Sequence, residues 1–205
     1  MTVPDKSVLA VLGRHATPDE LATWNSVADI INSSDGQNFV EPLVRLYVGM
    51  FNRLPDVADP NGDFDSGPQS GFWVNVNLLR DGKVSLIDMA EAFAQSAEGF
   101  SHFGVAGQLH IAPTANFIQN LYLTLLNRSG SSAEISAWQN LHLDIALVTV
   151  GFTESAEYKA KTYAFDIVDG SPPPSPTIYD QFLTSAGVAQ PDQHINVIGV
   201  LDHIG

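Results

Sequence analysis

Five oxygen-bearing side chains fall within a span of ten residues: Asp56, Asp59, Asn61, Asp63 and Asp65. Asp59-x-Asn61-x-Asp63 has the one-three-five spacing of calcium loops, in which alternate side chains converge on a hard cation through oxygen. Two positions depart from an EF-hand. Phe64 stands where the turn needs glycine, and Ser70 where a bidentate glutamate would close the loop. The stretch reads either as a calcium loop of another type or as a solvated acidic turn of Asp, Asn, Gly and Pro.

Other chemistry is thinly marked. The six histidines (His15, His102, His110, His142, His194 and His203) include no pair at the one-turn helical spacing of a zinc motif. His142-Leu-Asp144, by itself, does not make a zinc motif. Gly-x-Ser-x-Gly, P-loop and dinucleotide-binding fingerprints are absent, and without cysteine there is no thiolate nucleophile or ligand. A non-enzymatic protein is expected.

Composition narrows the partners. Nine Lys and Arg against 23 Asp and Glu give a net charge of −14, with a pI near 4.4. Such a surface repels phosphate backbones and anionic lipid, which argues against nucleic acid and membrane surfaces as partners. It suits solubility at high salt or cation binding. No apolar run approaches the eighteen residues of a membrane span, and Val8 to Leu12 is too short and lightly flanked for a signal peptide. At 205 residues the chain can bury on the order of 70% of its unfolded surface, so its core needs no outside help.

The elements that must position these residues follow from helical spacing and capping. A short helix is predicted over residues 5–13. Thr17-Pro18-Asp19-Glu20 then opens a helix whose Leu21, Trp24, Val27, Ile30 and Ile31 form one apolar face, stopped by Ser33-Ser34-Asp35-Gly36. Phe39, Leu43, Leu46, Tyr47 and Met50 mark the next, with Pro42 in its first turn. Phe72 to Leu79 and Leu86 to Phe93 follow, the latter behind a capping box at Ser85 and Asp88. Gly99 to Pro113 reads as an irregular connector. Phe117 to Leu125 is helical, Ser131 and Glu134 cap a helix with Trp138, and Thr153 is expected to cap the helix through Tyr158. Beyond the Pro-rich linker, residues 178–186 read as one short helix and His194 to Leu201 as a β-branched tail.

Within this order the chain says nearly the same thing twice. Leu46-Tyr47 with Asn52-Arg53 reappears as Leu121-Tyr122 with Asn127-Arg128, each followed by a Trp and a Phe-x-x-Ser-Ala-Glu. Arg14 precedes Trp24 by the same ten residues that separate Arg128 from Trp138, while Arg53 lies twenty before Trp73. The expected organisation is all-α, with tandem helical repeats packed into one domain. A degenerate first copy covers 1–36, a second covers 37–104 with an acidic insertion at about 57–66, and a third covers 105–168. A linker at 169–177 and a tail at 178–205 complete it.

The Leu-Tyr helix, the Asn-Arg, the turn, the Trp and the Phe-x-x-Ser-x-Glu resemble a small helical domain of unknown function. That domain occurs, often in tandem, in secreted RTX-type and surface-layer proteins of Gram-negative bacteria, and is distantly like phycobilisome linker domains. The resemblance runs over about residues 5 to 163 and is strongest in the second and third copies. It implies a helical scaffold at the cell surface or beyond it, exported without a cleaved N-terminal signal. It also implies a hold on lipopolysaccharide with calcium involved. The Gly-Gly-x-Gly-x-Asp calcium repeats that often accompany the domain are missing here.

The function expected is an extracellular binding or anchoring module for a cell-surface glycan or surface protein, with calcium as the cofactor. The alternative is a structural linker in a protein assembly, oligomerising through the C-terminal tail. Arg53 and Arg128, each after a helix end, are expected either to fork onto carboxylates such as Glu98 and Glu157 or to contact ligand. Trp73 is expected to be either core or a stacking platform for sugar.

Overall fold

A computed structural model of the chain describes residues 3–57, 70–103, 110–162 and 178–186, and every regular element in them is helical. The protein is all-α. No helix among the described residues is long and apolar enough to cross a membrane.

The helix α1 (Asp5–Leu12) ends on Gly13 in the left-handed region, at φ 64°. The single helix expected through Trp24 to Ile31 is instead two, α2 (Pro18–Thr23) and α3 (Val27–Ile31). The break has a local cause. Asp29 Oδ2 accepts the backbone N–H groups of Asn25 and Ser26, each at 2.8 Å, and the Ser26 hydroxyl accepts the Asp29 N–H in return. These bonds replace the i→i−4 pairing that a continuous helix would need.

A π-helical turn at Gly36–Val40 leads into α4 (Glu41–Phe51). Pro42 has no N–H for the carbonyl four residues back and its ring crowds that carbonyl, so the wider turn accommodates it. Then come α5 (Gly71–Arg80), α6 (Leu86–Gln95) and α7 (Ala97–Phe103). The helix α7 corrects the irregular connector expected from Gly99: the Ser96 hydroxyl accepts the Gly99 N–H at 3.0 Å and starts a new helix. Four more follow, α8 (Ala115–Leu126), α9 (Ser132–Asn140), α10 (Ile145–Thr153) and α11 (Ala156–Thr162). Thr153, expected to cap the last of these, ends α10 instead, and Ser155 caps α11 by accepting the Tyr158 N–H at 3.2 Å. The expected helix after the linker is α12 (Ile178–Ser185), with Phe182 and Leu183 fully buried. The linker and the His194–Leu201 segment lie outside the described residues.

Two apolar clusters form the interior. The larger gathers Leu12, Ile30, Met50, Trp73, Ala90 and Phe182 from helices along most of the chain. The smaller gathers Ile118, Tyr122, Phe152 and Tyr158 from α8, α10 and α11. The helix α10 joins them, since its Ala146 belongs to the first and its Val148 and Phe152 to the second. It crosses α4 closely at Gly49, where an added Cβ would collide with the methyl groups of Thr149 and Thr153. Gly49→Val is expected to cost roughly 1–3 kcal/mol through this overpacking. A urea denaturation curve indistinguishable from wild type would contradict that crossing.

A buried ion cluster fastens the same junction. Arg45, 3% exposed, donates through Nε and Nη2 to Glu154 at 3.0 and 3.1 Å and through Nη1 to Glu41 at 3.2 Å. Burial pushes the Glu41 carboxyl up to about 7, against the pull of Arg45. A carboxyl with a folded pKa above its unfolded value holds more protons in the native state, so its share of stability declines as pH rises from about 4.5 to about 7. Urea unfolding at pH 5 and pH 7.5 should show this decline, and Glu41→Gln should flatten it; an unchanged slope in that variant would show that another group carries it.

Candidate functional site

The acidic insertion lies largely outside the described residues: Asp59, Asn61, Asp63 and Asp65 do so, and only Asp56, exposed, precedes it in the described part. The other expected site residues are placed. Trp73 is 1% exposed and meets Phe72 and Phe182 at ring-centroid distances of 4.7 and 6.4 Å. Its indole also lies on the bare α-carbon of Gly13, where any Cβ would strike the ring. A ring covered on these sides has no face for a sugar, which corrects the reading of Trp73 as a stacking platform. It is a core residue.

The two arginines take the carboxylate fork. Asn52 and Asn127 end α4 and α8 in the left-handed region, at φ 51° and 50°. Asparagine tolerates that conformation better than most residues. The turn aims the next side chain back across the helix end. Arg53 donates through Nε and Nη2 to Glu98 at 2.6 and 2.7 Å, and lies 5.3 Å from the Tyr47 ring centroid. Arg128 donates likewise to Glu157 at 2.8 and 3.0 Å and also holds Glu134, 4.6 Å over Tyr122. Arg128 keeps the Glu134 carboxyl down at about 2 and lowers that of Glu157. Both guanidinium groups are thus bound to carboxylates of their own chain, and an anionic ligand would have to displace those partners.

The fold brings together a different set, missed in the sequence. Asp144 is the N-cap of α10: its Oδ1 accepts the Leu147 N–H at 2.9 Å, and its Oδ2 lies 2.8 Å from His110 Nδ1. An ionised carboxylate only accepts, so Nδ1 carries the hydrogen and the tautomer is set. Glu91 of α6 completes the group, and one donor atom from each of the three lies within 4.8 Å of the others. Asp144 is buried at 7% exposure, while the His110 side chain is 68% exposed. The hydrogen bond to Asp144 raises the affinity of His110 for its proton, and the charges of Asp144 and Glu91 add to it.

Two hollows flank the His110–Asp144 pair. A cavity of about 20 Å³ lies on the side of Glu91 and Ile145. A groove of about 450 Å³ lies on the other, lined by His110, Gln139, His142 and Asp144 with Pro113, Leu143 and Leu147. Both histidines have left-handed backbones, at φ 62° and 53°. His142 follows the end of α9, and His110 is set beside α10 by the Ile145 N–H bonding to Ile111 O at 2.9 Å. The groove thus presents amide, imidazole and carboxylate groups along an apolar floor. Only His142-x-Asp144 hinted at it in the sequence. Gln139, Leu143 and Leu147 are its sequence neighbours, while His110 and Pro113 are brought in from 29 or more residues away, with Ile111 O bonded to the Ile145 N–H.

Residues 109–162 match the family model of a domain of unknown function, DUF4214. The matched stretch contains the whole groove, the Arg128 fork and α8 to α11, and it excludes Glu91. It coincides with most of the third expected copy and covers less of the chain than the resemblance read from the motifs. No curated protein and no solved structure matches the chain.

Proposed function

We propose that the chain is a non-enzymatic binding or anchoring module that takes a cell-surface glycan of lipopolysaccharide type in the groove between His110 and His142. The groove's lining carries this reading. A sugar ring offers hydroxyl groups at its rim and C–H groups on its faces, and Gln139, His142 and Asp144 supply donors and acceptors beside Pro113, Leu143 and Leu147. The proposal includes an extracellular or surface location and calcium held by Asp59, Asn61, Asp63 and Asp65 in the insertion, bridging an acidic protein to anionic sugar. The motif resemblance to secreted RTX-type and surface-layer proteins supports the setting.

A glycan array probed with the full chain, with and without millimolar calcium, tests it. Gln139→Ala with His142→Ala is expected to remove binding while the fold is retained, because both side chains are exposed. Binding unchanged in that variant, or no glycan bound in either condition, would overturn the groove as the site.

The alternative, a structural linker in an assembly, draws on exposed leucines of the third copy. Leu123 and Leu141 are 47% and 57% exposed, and α9 has no buried residue. Under that reading the mass measured by light scattering rises with concentration and falls back to the monomer in Leu123→Ser with Leu141→Ser.

A further inference from the structure

We infer that Glu91, His110 and Asp144 bind one divalent transition cation of the zinc class, at a site separate from the acidic insertion that borders the groove through His110 and Asp144 but does not rest on the glycan reading. The three donors come from α6, from the segment ahead of α8 and from the start of α10. They nevertheless converge to within 4.8 Å of one another. Zinc holds nitrogen and carboxylate oxygen at about 2.0–2.2 Å, so two ligands of one tetrahedral ion stand about 3.4 Å apart. Side-chain rotation of exposed His110 and half-buried Glu91 closes that difference.

The space fits. A cavity of about 20 Å³ lined by these same residues is the size for one water or one ion, which needs roughly 10–15 Å³ on the same measure.

The charge fits as well. Two carboxylates meet here, and none of the chain's five arginines and four lysines, all within the described residues, pairs with either of them. Among the described residues, the positive charge that faces them is a proton on His110. A divalent ion would neutralise both carboxylates where an imidazolium neutralises one. Asp144 Oδ1 is fixed by the Leu147 N–H, and Oδ2, which faces the His110 Nδ1 hydrogen in the metal-free chain, turns to the ion as that proton is released.

The imidazole sets the preference among metals: a mixed nitrogen and oxygen set suits zinc, cobalt or nickel over calcium and magnesium. Three protein ligands leave a fourth position for water. Bound there, the ion would clamp α6 of the second copy to α10 of the third.

Titration calorimetry of the full chain with zinc chloride, and separately with calcium chloride, tests the site. One zinc per chain is expected, with a matching rise in melting temperature that chelator reverses. His110→Gln and Glu91→Gln should each weaken zinc by roughly tenfold or more, the scale on which even supporting groups act, while His142→Ala should leave it unchanged. Circular dichroism on each variant separates loss of site from loss of fold. Zinc that binds His110→Gln as tightly as wild type would overturn the inference by showing capture at other surface groups, and so would the absence of a saturable heat. A wild-type chain that binds sugar but no zinc removes this site alone; one that binds zinc but no sugar removes only the groove reading.

Discussion

Arg45→Ala is expected to lower the stability of the chain by about 3–5 kcal/mol, because removing one member of a buried ion cluster strands the others. Arg45 is 3% exposed and reaches 109 residues along the chain to Glu154, while Glu41 beside it is equally buried. At this chain length the loss corresponds to roughly 6–20 °C in melting temperature. Lys159, 2.8 Å from Glu154, remains to satisfy that partner, so Glu41 is the group left most exposed to the cost of burial. Pairing Arg45→Met with Glu41→Gln should therefore recover most of the loss, since a neutral pair of similar volume removes the uncompensated charge. Thermal melts of the single and double variants check both statements. A single variant as stable as wild type would mean that α4 and α10 do not depend on the cluster.

Trp73→Ala carries the second large effect, about 3–5 kcal/mol from the lost transfer energy and the cavity left behind. The indole joins elements far apart in sequence: Gly13 after α1 lies against it, Phe72 adjoins it on α5, and Phe182 reaches it from α12. Truncation should loosen α12 first, because Phe182, the fully buried anchor of that helix, packs on the indole and on Phe72. Urea unfolding gives the magnitude, and limited proteolysis should cut the variant near residues 178–186 sooner than wild type. A stable Trp73→Ala protein would contradict the buried placement of the ring.

The three capping boxes at Thr17, Ser85 and Ser131 were legible because each combines a hydroxyl, a carboxylate three residues on and an apolar run. Ser26 and Asp29 carry the same signal, but the apolar spacing from Leu21 to Ile31 continues across them and hides the break. Asp144 is hidden in the same way: Leu141 to Val150 is apolar almost throughout, so the N-cap that divides it reads as an interruption rather than a start. The Arg53 and Arg128 forks could be read because the matching Glu recurs at the end of each Phe-x-x-Ser-Ala-Glu. The His110 site could not. Glu91, His110 and Asp144 have no fixed spacing, and only the packing of α10 against α6 sets them together. Trp73 shows the opposite limit, since one aromatic in a motif serves a core and a sugar platform equally well until its burial is known.

The most direct test of the groove is a titration of the ¹⁵N-labelled full chain with a lipopolysaccharide core oligosaccharide, followed by amide chemical shifts. The expected result is a saturable set of shifts centred on His110, Gln139, His142 and Leu143, absent in Gln139→Ala with His142→Ala. Shifts centred instead on Arg53 and Glu98, or none at saturating sugar, would contradict the assignment of the groove as the binding site.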